Sequence, residues 1–175
     1  MSQKNQSGGQ ERNIRQVADE FTKKGWRTVR LRPNSKVPVS GAWQNADPRP
    51  EEFKDADNVG VQLGVKSNHL VDIDFDSPEA RALSGLRCFF GAAPSFHRSS
   101  LPESEPGHRL VICTDAPDKV EKFAFSRAAE KAAIESLQLP KSVILELRAG
   151  KGFTVFPPSV INDDPLIWGG LQEPL

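Results

Sequence analysis

The sequence predicts a mixed α/β (α+β) protein, and three features carry that expectation. Residues Ile14, Val17, Ala18 and Phe21 recur at helical spacing. Leu70-Val71-Asp72-Ile73-Asp74-Phe75-Asp76 and Val143-Ile144-Leu145-Glu146-Leu147-Arg148 alternate with a period of two, as strands do. Ser77-Pro78-Glu79 then reads as a helix start directly after the first of these strands, with Ser as cap and Pro at the first helical position.

Taken in order, residues 1–10 are a Gly/Ser/Gln-rich leader expected to be disordered. The first helix begins at Asn13 and ends at Gly25. A strand over Trp26–Leu31 follows, stopped by Pro33. Lys23, Lys24, Arg27, Arg30, Arg32 and Lys36 make the stretch from 21 to 40 basic without an acid. Arg30, Arg32 and Lys36 are its best-placed members for phosphates or a nucleic-acid template; a solvated surface is the plainer reading. Trp43 reads as a packing residue, and Pro50–Phe53 as a short helical turn.

Asn58–Gly64 resumes strand character, with Gly60 and Gly64 permitting close backbone approach or shaping turns. A hairpin is the expected connection into the aspartate strand. The helix from Ser77 carries Ala80, Leu83, Leu86 and Phe89 and stops at Gly91 and Pro94. After a loop, His108–Cys113 is a strand with His108, Leu110 and Ile112 on one alternation. Residues 118–137 carry the longest helical pattern, including Val120, Phe123, Ala124 and Leu137. Val143–Arg148 is expected to turn through Ala149–Gly152 into a hairpin partner, Phe153–Phe156, closed by Pro157-Pro158. The remainder is turn-rich, with Trp168 pinning it to the body.

Composition bounds the function. A chain of 175 residues suffices for one domain with a sizeable core. A formal net charge of zero argues against indiscriminate wrapping of nucleic acid while allowing a local positive groove. Cys88 and Cys113 lack metal-ligand spacing and read as reduced thiols of a cytoplasmic protein. No apolar run reaches membrane-spanning length, so no membrane partner is expected. Tyr is absent, so stacking on bases falls to Phe, Trp or His.

The aspartate strand is where chemistry concentrates. Asp72, Asp74 and Asp76 share one strand face, and aspartate is a poor strand former. Three such carboxylates raise one another's pKa unless positive charge compensates, commonly a divalent cation. A solvated acidic edge is the competing reading. Glu146 and Arg148 form a second charged strand face, and Glu146 would add a fourth carboxylate if the two strands are neighbours. Such hard oxygen ligands suit Mg²⁺ or Mn²⁺, and two metals about 4 Å apart would suit in-line phosphoryl or nucleotidyl transfer. Arg98, His108, Arg148 and Lys151 could meet a triphosphate. His69 and His97 read as structural or surface groups. Gly150-Lys151-Gly152 is too short for a phosphate-binding Walker loop, and no Ser/His/Asp or Cys/His nucleophile arrangement is present.

The ordered pieces resemble a known family. These are Arg30-Leu31-Arg32-Pro33 to Gly41-Ala42-Trp43-Gln44, Asn58-Val59-Gly60-Val61 with Gly64, Leu70 to Ala80, His108, Leu145-Glu146-Leu147-Arg148, and Thr154 to Val160. In order and spacing they resemble the bifunctional DNA primase/polymerase N-terminal (prim-pol) domain of plasmid and phage replication proteins, within the archaeo-eukaryotic primase superfamily. The resemblance covers roughly residues 13 to 170. It implies an RRM-like palm beside a smaller N-terminal α/β unit, together forming a catalytic cleft. Residues 11–170 would then be one domain, with 11–66 as the N-terminal part and 67–170 as the palm; residues 171–175 would be a tail.

The resemblance also implies roles. An Asp-x-Asp metal pair maps to Asp72 with Asp74 or Asp74 with Asp76, and Glu146 stands where an Asp is usual. His108 takes the place of a histidine contacting nucleotide phosphates, although Glu105-Pro106-Gly107 precedes it and Ser104 is too early for the usual spacing. Lys151 and Ile161 stand where a small residue and a His are common. The implied catalytic set is Asp72, Asp74, Asp76, His108 and Glu146, with metal at the four carboxylates and nucleotide at Arg98, His108, Arg148 and Lys151. The implied activity is template-directed nucleotidyl transfer with Mg²⁺ or Mn²⁺ in plasmid or phage DNA replication. Single-stranded DNA and nucleoside triphosphates would be partners, and a helicase domain or partner is a further expectation. A weakly catalytic origin-binding module and a metal-dependent nuclease are the alternatives.

Overall fold

The computed structural model describes residues 13–84, 93–124 and 143–169. The chain opens with helix α1 (Ile14–Lys23). The Asn13 side chain accepts from the Arg15 and Gln16 amides at 2.9 and 3.1 Å, and Gln16 reaches back to the Asn13 amide. This capping box satisfies donors that would otherwise be orphaned at the helix start. Ile14, Val17, Ala18 and Phe21 form the buried stripe, and Gly25 leaves the helix at φ +74°.

Three strands build a small antiparallel sheet under this helix. They are β1 (Thr28–Leu31), β2 (Asn58–Gln62) and a late strand, with β2 in the middle. The chain then crosses into a seven-stranded sheet with β3 (Leu70–Phe75), helix α2 (Pro78–Ser84), β4 (Ser95–Arg98) and β5 (His108–Ile112). It continues with β6 (Glu121–Ala124) and β7 (Val143–Arg148). After β8 (Phe153–Phe156) come β9 (Val160–Ile161) and β10 (Asp164–Gly169). The large sheet runs β6-β7-β3-β5-β4-β10-β9, with every neighbouring pair antiparallel. The result is a mixed α+β fold with a small helical unit on open sheets. Among the described residues no helix is long and apolar enough to cross a membrane.

Several local expectations hold. α2 begins after Ser77, whose Oγ accepts from the Ala80 amide at 3.1 Å, and Pro50–Glu52 forms a 3-10 turn. Trp43 packs edge-on against Phe153 with ring centres 4.8 Å apart.

Others are corrected by long-range pairing. β2 and β3 are not a hairpin: β2 has β1 and β8 on its two edges, and β3 has β5 and β7. The link between them is a 3-10 turn (Val65–Ser67) followed by Asn68 and His69 at positive φ. Nor is β8 the hairpin partner of β7. It leaves the large sheet and pairs with β2, Val59 opposite Phe156. Thus a strand from beyond residue 67 completes the sheet of the N-terminal part. The crossing is tight, since a Cβ on Gly64 would lie 2.7 Å from the Gly150 amide nitrogen. Residues 121–124, expected within a helix, form β6 at the edge of the large sheet; residues 125–137 of that helical pattern lie outside the described residues. The stretch over 164–169, expected to be turn-rich, is β10.

The two sheets share one core. Thr154 and Phe156 sit on the same face of β8. The Phe156 ring lies 5.2 Å from Phe96 and 5.8 Å from Trp168 in the large sheet. It also lies 5.4 Å from Phe21 of α1 and 5.8 Å from Trp26, which packs beside it. Phe156 is fully buried. Replacing it by Ala should therefore destabilise the protein by about 3–5 kcal/mol. A urea titration followed by tryptophan fluorescence should show a single transition at lower midpoint. An unchanged midpoint would mean that the sheets do not depend on this junction.

Candidate active site

The pairing registers place one row of side chains across six strands. Lys122 of β6 stands opposite Glu146 of β7, which faces Asp74 of β3. Asp74 faces His108 of β5, His108 faces Phe96 of β4, and Phe96 faces Trp168 of β10. Directly opposed residues project to the same side of a sheet, so the row is continuous. One end is aromatic and belongs to the core; the other is charged and opens into a cleft of about 730 Å³. A second row, Arg148–Asp72–Leu110, lies behind it.

Asp74, Asp76 and Glu146 offer carboxylate oxygens that all lie within 4.8 Å of one another. Asp76 follows the end of β3, where its amide donates to the Ile144 carbonyl at 2.9 Å. Cations of the chain stand among these groups. Arg148 is ion-paired with Asp74 and reaches Glu146 at 2.9 Å. Lys122 Nζ lies 2.7 Å from Glu146.

Asp72 has different company. Its side chain is fully buried, accepts the Thr154 hydroxyl at 2.6 Å, and holds His108 Nδ1 at 3.1 and 3.2 Å. The His108 ring stacks on Phe96 with centres 4.3 Å apart and planes 8° from parallel.

These contacts set the ionisation. Burial pushes the Asp72 carboxyl up, but the His108 charge and the hydrogen bonds from His108 and Thr154 outweigh it, so its pKa falls below the ordinary value. Asp74 moves the other way. Its burial, with Asp72 and Asp76 adding, outweighs His108 and Arg148. Burial would lower His108, yet Asp72 and Asp74 raise it above the usual histidine value. Glu146 is lowered: the hydrogen bonds from Lys122 and Arg148 overcome burial.

The residues singled out from sequence thus separate into groups. Asp74, Asp76, Glu146, His108, Arg148 and Arg98 line one cleft, and Lys36 joins them there. Asp72 adjoins the cluster but is not one of the three gathered oxygens. Arg30 is ion-paired with buried Asp57 at 2.5 Å and lines a separate cavity beside Trp43. Arg32 is exposed, as is Lys151 on the turn between β7 and β8. His97 is buried, and its Nδ1 has no hydrogen-bond partner among the described residues.

Sequence reasoning missed Thr154, Lys122 and Arg81. Thr154 and Lys122 reach the site only through strand pairings. Arg81, which also lines the cleft, lies in α2 five residues after Asp76, a proximity visible in the sequence.

The arrangement can gather hard cations on carboxylates while facing phosphate oxygens with His and Arg. The model of one protein family, bifunctional DNA primase/polymerase, N-terminal, matches residues 18–174. No curated protein matches the chain.

The ionisation directions yield a stability test. His108, raised in the fold, contributes stability that is fully present below its unfolded value near 6.5 and is lost as pH rises through the folded value. Asp72, lowered, contributes stability present above 3.8 and lost as pH falls through its folded value. Without divalent cations, the advantage of wild type over His108→Gln in urea midpoint should therefore be largest between these limits. It should shrink toward alkaline pH. An advantage that grew with pH would contradict the pairing.

Proposed function

The chain belongs to the bifunctional DNA primase/polymerase N-terminal family, and from that membership and the carboxylate cluster we propose that it performs template-directed nucleotidyl transfer from nucleoside triphosphates. Membership and cluster together support an enzymatic, metal-using role. The observation that carries the finer reading is the approach of Asp74, Asp76 and Glu146 on neighbouring segments of one sheet face. On this reading the seven-stranded sheet is the primase palm and the helix-covered small sheet is the N-terminal unit.

The donor set fits Mg²⁺ or Mn²⁺: three hard carboxylate oxygens gather in a cleft that Lys36, Arg81, Arg98 and Arg148 also line. Asp74, Asp76 and Glu146 would hold the cation. When bound, it supplies Lewis-acid charge for displacement of pyrophosphate from an α-phosphorus by a 3′-hydroxyl. The chain's own residues do the rest. Arg98, His108, Arg148 and Lys36 offer donors to phosphate oxygens along one wall. Arg148 is a planar fork between Asp74 and Glu146, able to orient both carboxylates. Phe96, the cross-strand neighbour of His108, stacks on one face of that ring.

The template would be held mainly through its backbone. Of the three predicted template contacts, Arg32 is the exposed one outside the cleft; Lys36 is better matched to the nucleotide and Arg30 to Asp57. Lys151, on its exposed turn, would meet phosphate entering from solvent. Single-stranded DNA and nucleoside triphosphates are the partners this reading requires, with a helicase as a further partner in plasmid or phage replication.

The test is incubation with a single-stranded template, Mn²⁺ or Mg²⁺ and labelled nucleotides. Product without a supplied primer identifies priming, extension only from a primer identifies polymerisation, and template shortening would instead identify a nuclease. Asp74→Asn keeps volume and removes a ligand charge. Loss of outer-shell partners of metal sites already costs about 10–100-fold, so this change should lower synthesis by more than about 100-fold. The variant should keep its circular dichroism spectrum. Full synthesis by Asp74→Asn would reject the metal assignment.

A further inference from the structure

We propose that Asp72 and Thr154 are positioning residues, which anchor His108 through Nδ1 so that its other ring nitrogen, Nε2, meets the phosphates of the incoming nucleotide. The inference rests on reading the cleft as a nucleotide site. It assigns Asp72 a task different from that of Asp74, although the two alternate on one strand face and look equivalent in sequence.

The geometry supports the division. Asp74, Asp76 and Glu146 form the oxygen cluster, and Asp72 stands outside it. Asp72 Oδ2 takes both the Thr154 hydroxyl at 2.6 Å and His108 Nδ1 at 3.1 Å, and Oδ1 lies 3.2 Å from the same nitrogen. Asp72 is 0% exposed and Thr154 1%. Asp72 already accepts the Thr154 hydroxyl and turns both oxygens to His108 Nδ1, so the carboxylate is the acceptor and Nδ1 the donor of this pair. The stacked Phe96 ring supports the imidazole from one side. With one nitrogen tied and one face covered, ring rotation is removed as a freedom, and Nε2 is the nitrogen left for a ligand. His108 also lines the cleft that Arg98 and Arg148 share.

The origin of Thr154 adds weight. It comes from β8, which pairs with β2 in the small sheet, so its hydroxyl reaches Asp72 from across the inter-sheet space. Asp72 receives one hydrogen bond from each sheet. His108 orientation therefore depends on how the sheets are seated. Buried partners that orient a histidine through its second nitrogen are a general device for fixing ring direction, and their loss costs about 10–100-fold.

The test uses the full chain with Thr154→Val, Thr154→Ser, Asp72→Asn and Asp74→Asn. Inorganic tripolyphosphate in saturating Mn²⁺ serves as the phosphate probe, and Mn²⁺ alone is titrated separately by electron paramagnetic resonance. The expected result is about a 10-fold weaker tripolyphosphate affinity for Asp72→Asn and Thr154→Val. Thr154→Ser should restore wild-type affinity. Mn²⁺ affinity should stay within about two-fold for these three and collapse only for Asp74→Asn. In proton spectra the hydrogen-bonded His108 Nδ1–H should be protected in wild type and lost in Asp72→Asn.

Where nucleotides are incorporated, Thr154→Val should raise nucleotide KM with little change in kcat. Unchanged tripolyphosphate affinity in Thr154→Val and Asp72→Asn would overturn the proposal. So would an Asp72→Asn loss of Mn²⁺ as deep as that of Asp74→Asn, which would make Asp72 a ligand. If wild type binds tripolyphosphate and shows the variant pattern but synthesises nothing, the positioning role stands and the polymerase reading falls. If it synthesises and Thr154→Val keeps wild-type KM, the positioning role falls alone.

Discussion

Everything near the cleft depends on a buried carboxylate that is charged. Asp72 lies in the interior with no solvent contact, and an isolated charge there would be strongly unfavourable. It is tolerated because it accepts two hydrogen bonds, one from His108 on the adjacent strand and one from Thr154 on the other sheet. Removing either donor would leave a buried charge partly unsatisfied, which is the costly case for buried pairs. The same contact decides the state of His108 and constrains how β8 sits over β3. Local electrostatics and the relative placement of the two sheets are thus one problem with one solution.

That constraint explains why one sheet face serves both packing and chemistry. Phe96 and Trp168 meet Phe156 in the core, while three and four strands from Phe96 the same row carries Glu146 and Lys122. His108 is the transition residue. One face of its ring is stacked on Phe96, and its edge is held by Asp72 and approached by Asp74 at 3.7 Å. Core packing fixes the ring, so the position of a charged group is set by apolar contacts that are rigid and close-packed.

What could be read from the residues follows from the range of the forces involved. The aspartate strand, its capped helix and the first helix were legible because periodicity and capping act within a few residues. The pairing of β3 with β7 was legible in part, since two charged faces with apolar backs suggest neighbours. The assignment of β8 was not, because edge choice is settled by partners about 90 residues earlier in the chain, Val59 opposite Phe156 among them. Val120, Phe123 and Ala124 fit helical spacing equally well, and residues 121–124 became a strand because β7 offered an open edge. Asp72 and Asp74 share alternation and chemistry, so only the third dimension separates them: Thr154 stands over one and Glu146 beside the other.

The charge balance of the cleft follows from these placements. Like carboxylates packed closely call for positive charge, and a divalent cation is the usual answer. Here Arg148 and Lys122 already stand among Asp74 and Glu146, each supplied by the strand that the pairing brings alongside. Even so, burial, with Asp72 and Asp76 adding, raises Asp74 above its ordinary value against His108 and Arg148. Asp74 lies between Glu146 and His108 in the row, so a cation added there would oppose that shift at the point where the carboxylates meet the histidine.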